Sequence, residues 1–283
     1  MCFVAALGVQ GVSLRAQILA GDSVTGRVHE IPTVTVEARR ISPALTATSP
    51  LQVMGKADME RLGVHEVAEA VRHFSGVSVK DYGGIGGLKT VSVRSMGAQH
   101  TGVIYDGVSV SDCQSGQGDI SRFSLDNVSE LTLTIGQTDN IYQSARAFAS
   151  AGTLSIQTAR PDFADSPFHL YANLKAGSYG MANPSVLYSQ RLSQNTGLTV
   201  YGDFLRADGN YPFKMWNGNH LIDSRRNNSD IRTWRAEATL YTTLTPRQDL
   251  QVKAYLFDSE RGLPGGVIYD NPYAAERLYD KNY

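Results

Sequence analysis

Hydrophobic and polar residues alternate with a period of two along much of the second half of the chain, from Phe168 onward. Successive side chains of a β-strand point to opposite faces, so this pattern predicts strands with one apolar and one polar face. Five segments show it, two of them less regularly: FHLYANLKA, SVLYSQRL, LTVYGDFL, TWRAEATLYT and LQVKAYLF. Together they predict an antiparallel sheet.

The connections between these strands alternate in length. Short turns lie at 193–197 and 245–249, whereas long polar segments run from about 207 to 231 and from about 258 to the end. This alternation is typical of an outer-membrane β-barrel. We therefore expect the apolar face to meet lipid and the polar face to line the lumen; the apolar face includes Trp234, Ala236, Ala238 and Leu240.

The number of predicted strands is too small for a closed barrel. A membrane barrel must close, because open strand edges leave backbone groups unpaired in lipid. Single-chain bacterial barrels use an even number of strands and at least eight. About five strands cannot close, so the pattern predicts that this sequence is the front part of a longer protein.

The region before the barrel, 41–160, mixes helical and strand signals. In ADMERLGVHEVAEAVRHFSG, an apolar helical face is followed by Gly76 as a stop; the face consists of Val64, Val67, Val71 and Phe74. Strand-like runs follow as VSVK, TVSVRS, TGVIYDGVSV and LTLTIG. This combination predicts a small α+β domain, followed by the N-terminal part of the barrel over 161–283.

The first 40 residues have a different composition. Residues 1–16 are largely apolar and carry no charge before Arg15, which predicts a signal peptide with cleavage after Ala16. The peptide is incomplete because no basic residue precedes the apolar core, and a buried globular helix is the alternative, which its glycine and serine residues disfavour. Residues 17–40 form a polar leader that contains the alternating stretch 33–36. A lone strand of four residues is not stable by itself. Its main-chain groups remain available to another chain, although chance alternation in an exposed linker explains the stretch equally well.

Composition and motifs argue against several classes of protein. The net charge of −1 and the charged fraction of 19% show no excess of basic residues of the kind that binds nucleic acid. Two cysteines are too few for a disulfide framework. GGIGGLKT is not a phosphate loop, since Leu88 separates Gly87 from Lys89. HEVAE has Glu69 where a zinc-binding helix needs its second histidine. We expect neither an enzyme nor a metal or cofactor site.

The motifs and their order resemble the TonB-dependent outer-membrane receptor family. TVTVEA (33–38) is similar to the TonB box, and VHEVAEAVRHFSGVSVKDYGG resembles the helix, turn and strand of the plug domain. TVSVRSMGAQHTGVIYDGVSV has Arg94, Asp106 and Gly107 at matching positions. FSLDNVSELTLTIGQ and ASAGTLSIQT resemble the closing section of the plug, although Ile135-Gly136 and Ala151-Gly152 depart from its usual pairs.

The resemblance implies a fold, a location and a set of roles. The implied fold is an α+β plug followed by an incomplete antiparallel transmembrane β-barrel. The implied location is the bacterial outer membrane, and the implied activity is the import of a scarce nutrient, without any catalysed reaction. TonB would pair with Thr33, Val34, Thr35, Val36, Glu37 and Ala38. Arg94 would lock the plug to barrel glutamates. Two plug loops would contact the ligand through Tyr82, Gly83, Gly84, Ile85, Ser111, Asp112 and Gln114.

The expected substrate rests on a resemblance to one branch of the family. The stretch DYGGIGGLKTVSVRS, together with ADGNYPF and RGLPGGVIYD, resembles the cobalamin receptors of Bacteroidota-type bacteria. Cobalamin or a related corrinoid is therefore expected; siderophore, haem and glycan uptake are the alternatives within the family. The expected partners are TonB, outer-membrane lipid and a surface lipoprotein, but no nucleic acid. A secreted soluble adhesin or other binding protein is the alternative from another class.

Overall fold

The computed structural model describes residues 3–5, 49–112, 115–137, 143–266 and 273–283. At the N-terminus it describes the backbone of one short strand, β1 (Phe3–Ala5), within the predicted signal peptide. The remainder of that peptide, the leader with the predicted TonB box at 33–38, and Gln114 lie outside the described residues. No helix in the described ranges combines the length and apolarity needed to cross a membrane.

The first large body is an α+β domain, here called the plug. Its elements are β2 (Leu51–Gly55), α1 (Lys56–Leu62), α2 (Val67–Val71), β3 (Val77–Asp81), β4 (Lys89–Val93), β5 (Thr101–Tyr105), β6 (Val108–Ser109), β7 (Val128–Ile135), α3 (Ala145–Phe148) and β8 (Gly152–Thr158), with three short 3-10 turns. Five strands form a sheet in the order β2-β7-β8-β5-β6, and β3 pairs with β4 separately. Only β5 and β8 run parallel in that sheet.

The helix predicted from the apolar face that runs from Val64 to Phe74 is present but shorter, as α2 (Val67–Val71). Gly63 adopts a left-handed conformation with φ of 64° and ends α1, so a second short helix begins at Val67. Glycine takes this conformation without the steric cost that a Cβ would add. The apolar face is nevertheless buried, since Val67, Val71 and Phe74 are at most 5% exposed.

The plug core lies where the helices meet the strands. Leu131 and Leu133 of β7 and Leu154 and Ile156 of β8 are fully buried, and they belong to one apolar cluster with α2. Alternation along β7 places these leucines on the same side of the sheet. The core makes the plug a packed unit and leaves its polar groups for the surface.

The second large body is an antiparallel sheet. Its strands after the plug are β9 (Phe168–Ala176), β10 (Ala182–Arg191), β11 (Thr196–Ala207), β14 (Ile231–Thr245), β15 (Gln248–Gly262) and β16 (Arg277–Asn282), and β1 pairs with β9 at its edge. A separate hairpin, β12 (Pro212–Asn217) and β13 (His220–Arg225), lies between β11 and β14. An α+β plug followed by an open antiparallel sheet confirms the predicted fold class.

Two segments predicted as loops contain strands. The sheet has a sixth strand after the plug, β16, in the segment from 258 onward, and β12 and β13 lie in the segment 207–231. The alternation rule missed β16 because its outward residue Lys281 is charged. Lys281 pairs with Asp258 of β15 at 3.2 Å, so a charged pair occupies a position where the rule expects apolar residues.

The two faces of the sheet have the polarity that the alternation predicts. Tyr201, Asp203 and Glu237 face the plug and are at most 5% exposed. On the other face Trp234 is 48% and Val252 is 53% exposed. A soluble adhesin would have to cover such an apolar face, whereas a barrel wall presents it to lipid.

Candidate functional site at the plug and sheet interface

Polar side chains connect the plug to the inner face of the sheet. Glu237 of β14 accepts hydrogen bonds from the Tyr105 hydroxyl, 2.7 Å from each carboxylate oxygen, and from the Asn127 amide at 3.0 Å. Its side chain is only 2% exposed. A buried carboxylate needs such donors, because removal from water strongly disfavours its charged form.

Lys253 of β15 joins a second carboxylate to the same group. Its ammonium lies 2.8 Å from Glu237 and 2.6 Å from Asp106 of the plug. Asp106 also accepts hydrogen bonds from the backbone N–H and hydroxyl of Thr158, at 2.8 and 2.7 Å. We call the five interacting residues the buried bridge: Tyr105, Asp106, Asn127, Glu237 and Lys253.

The buried bridge combines one cation with two carboxylates. The ammonium of Lys253 also lies 3.9 Å from the centre of the Tyr105 ring, where the ring face attracts a cation. Burial, followed by the neighbouring Glu237 charge, raises the pKa of Tyr105, so its hydroxyl stays a donor. Asp106, Glu237 and Lys253 together carry one net negative charge in a buried place. Tyr105 and Asn127 therefore donate to Glu237 the hydrogen bonds that Lys253 alone cannot provide.

Two further polar contacts lie along the same interface. Asp126 of the plug pairs with Lys175 of β9 at 2.7 Å and accepts a hydrogen bond from the hydroxyl of Ser185 at 2.8 Å. Arg235 of β14 pairs with Asp203 at 2.7 Å and donates to the carbonyl of Ser121 at 3.2 Å. The plug therefore contacts strands β9, β10, β14 and β15 through charged or hydroxyl groups.

A glycine-rich loop between β3 and β4, residues 82–88, lies at one end of the sheet and is called the apical loop. Asp81 holds it by accepting from the N–H groups of Gly83 and Gly84, at 3.0 and 2.8 Å. Arg261 of β15 donates to the carbonyl of Gly86 at 3.2 Å. The long connections after β11 and β15 begin at this end of the sheet, so the loop faces the side that is extracellular in outer-membrane barrels.

A cleft of about 360 Å³ separates the apical loop from the sheet. Its lining includes Ile85, Gly86 and Lys89 of the plug, and Lys175, Tyr179 and Arg235 of the sheet side. Within the plug Lys89 also pairs with Glu66. The carboxylates of Glu66 and Glu69 also line it, and a cleft with apolar walls and charged groups of both signs has the mixed character of a small-molecule site.

The predicted ligand residues fall in different places. Tyr82 and Ile85 are 56% and 46% exposed on the apical loop, and Ile85 lines the cleft. Ser111 and Asp112 lie on another loop and do not line that cleft. Asp119, at the end of their loop, accepts a hydrogen bond from the N–H of Lys89 of β4 at 3.1 Å. The structure thus groups the apical loop with the cleft and leaves Ser111 and Asp112 apart.

Arg94 does not make the predicted contact in the described part of the chain. Its side chain is exposed, and its backbone adopts a positive φ of 49° directly after β4. No ion pair to Arg94 is present within the described ranges, where the buried bridge connects plug and sheet instead. The role of Arg94 as a lock to a barrel glutamate stays a prediction.

Sequence reasoning did not identify the buried bridge as a site. It identified Asp106 only as part of a family motif, and Glu237 and Lys253 only as polar residues of the inward face. The signal available in the sequence was one glutamate and one lysine, Glu237 and Lys253, on the lumen face of two alternating strands. Buried charges on that face need partners, so these two residues could have been predicted to contact the plug. Across the described residues, no cluster of three or more His, Cys, Asp or Glu is arranged to hold a metal ion.

Comparison with known proteins agrees with this geometry. Residues 43–150 match the family model of the TonB-dependent receptor plug domain. Three similar solved structures are the copper transporter OprC (18% identity, TM-score 0.59), a variant of the ferric enterobactin receptor PfeA from Pseudomonas aeruginosa (18%, 0.55) and the pyoverdine receptor FpvA from Pseudomonas aeruginosa PAO1 (16%, 0.57). The alignments cover 75%, 83% and 75% of this chain, but 31%, 37% and 28% of those proteins. At this identity the structural likeness shows the fold, and the chain spans about a third of their length.

Proposed function

We propose that this chain, which matches the plug-domain model of TonB-dependent receptors over residues 43–150, belongs to an outer-membrane receptor that imports a scarce nutrient with energy delivered by TonB. The observation that carries this proposal is the polar interface between plug and sheet. The buried bridge consists of hydrogen bonds and ion pairs, which water can replace when the plug moves. An interface of packed apolar side chains would instead resist the entry of water.

Ligand binding must favour one arrangement of the plug over another. A ligand shifts such an equilibrium only by the difference between its affinities for the two states. The apical loop is suited to this role, since Gly86 contacts Arg261, and a Cβ on Gly86 would lie 1.7 Å from the Ile231 side chain. A ligand that displaces this loop therefore also changes its contacts with β14 and β15.

TonB would bind the stretch 33–38 by adding a strand to it. This assignment rests on the sequence, in which Thr33, Val34, Thr35 and Val36 alternate directly after Pro32. Backbone hydrogen bonds supply most of the affinity in strand addition, and alternate side chains supply the specificity. Arg94 would lock the plug against a carboxylate of the remaining barrel.

Uptake by intact cells tests this mechanism. Val34→Pro removes one backbone donor from the added strand, whereas Val34→Ala keeps it and serves as the matched control. With the complete receptor at equal levels in the membrane, we expect Val34→Pro to abolish energy-dependent uptake and to leave ligand binding unchanged. Undiminished uptake by Val34→Pro would reject the assignment of 33–38 to TonB.

The substrate that we propose is cobalamin or a related corrinoid, on the resemblance of the apical loop region and of ADGNYPF and RGLPGGVIYD to cobalamin receptors. Ser111, Asp112 and Gln114 would add polar contacts from the second loop, and a surface lipoprotein would assist capture. Equilibrium binding of cyanocobalamin to the purified complete receptor is the test, with a ferric siderophore and haem as competitors. Preferential binding of the siderophore or haem would replace the corrinoid assignment and leave the TonB mechanism standing.

A further inference from the structure

Two arginines lie directly opposite each other on the outward face of the sheet. Arg206 of β11 pairs in register with Arg232 of β14, and both side chains are exposed. Side chains directly opposite on one face of an antiparallel pair lie about 5 Å apart at Cβ, and like charges there destabilise the sheet. An anion bound between the two guanidinium groups would relieve this repulsion.

The two neighbouring carboxylates of β15 are held by other cations. Glu260 is the register neighbour of Arg232 on β15, but it pairs with Arg277 at 2.7 Å. Asp258 pairs with Lys281 at 3.2 Å. Asp208 forms an ion pair with Arg206 at 3.5 Å, in which both side chains are at least half exposed, so water screens the two charges. Within the described ranges Arg232 forms no ion pair, so its guanidinium, together with the weakly paired Arg206, remains available to an external anion.

Aromatic rings lie beside the arginines at the end of the apolar band. Phe204 and Trp234 face each other in the next outward row, with ring centres 4.3 Å apart, and the Arg232 guanidinium lies about 6 Å from both rings. From Trp234 the outward residues remain apolar to Leu240, a span of roughly 20 Å along the strand. This matches the lipid-facing band of outer-membrane barrels, which is bounded by aromatic residues.

We propose that Arg206 and Arg232 bind the phosphate group of a glycolipid in the outer leaflet of the membrane. The arginines lie at the end of the sheet with the long connections, which is extracellular in such barrels. Guanidinium groups bind phosphate through paired, charge-assisted hydrogen bonds. The apolar band below them would contact the acyl chains of the same lipid, and this combination favours a membrane lipid over a free anion.

Lipid binding to the complete receptor purified in detergent tests the proposal. The probe is lipid A with two phosphates, and the comparison ligands are the same lipid without phosphates and inorganic phosphate. We expect Arg206→Gln/Arg232→Gln to weaken binding of phosphorylated lipid A at least tenfold, since hydrogen bonds to charged groups each contribute that order. Arg247→Gln changes an exposed arginine in the turn at the opposite end of the sheet and is the matched control.

The outcomes are distinct. Equal affinity of the double variant and the native protein would overturn the proposal, as would equal affinity for the lipid without phosphates. Displacement of the lipid by millimolar inorganic phosphate would show a general anion site and overturn the assignment to lipid. The shift of the folded barrel on unheated gels verifies that each variant is folded. Since lipid binding is measured without transport, a negative result leaves the proposed import function intact.

Discussion

At the scale of single residues, the contact between plug and sheet depends most on Lys253. Its ammonium is the only cation within 4 Å of Asp106 and Glu237 among the described residues. Removing one partner of a buried ion pair leaves an uncompensated charge, which costs more than the pair itself contributed. An exposed pair behaves differently, because water screens both charges.

We predict that Lys253→Met weakens the docking of the plug by about 3–5 kcal/mol, since two carboxylates then share a buried place without a cation. The urea concentration at which a protease first cleaves the plug measures this effect. Lys214→Met is the matched control, because the pair of Lys214 with Asp223 is more than half exposed. That control should change docking by less than about 1 kcal/mol. Equal sensitivity of the two variants would contradict the role of the buried bridge.

A second prediction concerns pH at the extracellular end of the sheet. The hydrogen bond from Arg277 holds the pKa of Asp230 below its usual range. A lowered pKa in the folded state means that the contact stabilises fully above about pH 4 and is lost as the pH falls through the lowered pKa. The carbonyl of Asp230 accepts from the N–H of Gly262 at 2.9 Å, so this amide reports on the contact.

Hydrogen exchange of the Gly262 amide, corrected for intrinsic rates, measures the effect. Between pH 5 and pH 3 its protection should fall in the native protein and stay unchanged in Asp230→Asn. Protection that is unchanged or rises on acidification of the native protein would count against the Arg277 contact.

The residue pairs of the interface could not be read from the sequence. Tyr105 and Glu237 are separated by 132 positions, and Asp106 and Lys253 by 147. The alternation indicates which side chains face the lumen, but the strand that meets each plug residue depends on the three-dimensional placement of the plug. Arg94 was selected by motif position alone, it lies exposed after β4, and its role stays a prediction.

At the scale of elements, alternation located the strands where the outward face is apolar. It failed for β16, where Lys281 occupies an outward position, and for the hairpin of β12 and β13, which lies outside the main sheet. It also placed a helical face over 64–74, whereas the helix covers only Val67–Val71 after the turn at Gly63. Local backbone conformation and charge pairs determine where these elements begin and end, and the periodicity of apolar residues detects neither.

The apical loop gives a prediction at this scale. A Cβ at Gly87 would lie 2.7 Å from backbone atoms of Gly83, which cannot move without displacing the loop. Gly87→Ala should therefore destabilise the receptor by about 1–3 kcal/mol, as overpacking does. Gly266→Ala, whose Cβ would have no atom of the described residues within 4 Å, should have no effect. Melting temperatures of the two purified variants measure the difference, and an unchanged value for Gly87→Ala would contradict the loop geometry.

At the scale of the whole molecule, the order of parts was readable from the sequence. A polar leader, an α+β region and alternating strands follow one another, and the structure places the α+β plug on the inner face of the strands. The family match over residues 43–150 agrees with that order. The substrate is not readable in the same way, because it depends on a few side chains of loops and not on the periodicity of the strands.

The proposal that TonB acts on this protein through the stretch 33–38 can be tested without knowledge of the substrate. The measurement is equilibrium binding of the purified periplasmic domain of TonB to the complete receptor in detergent, for the native protein, Val34→Ala and Val34→Pro. We predict binding to the native protein and to Val34→Ala, and at least tenfold weaker binding to Val34→Pro, since proline removes a backbone donor from the added strand. Equal binding of all three, or no binding to the native protein, would contradict the account.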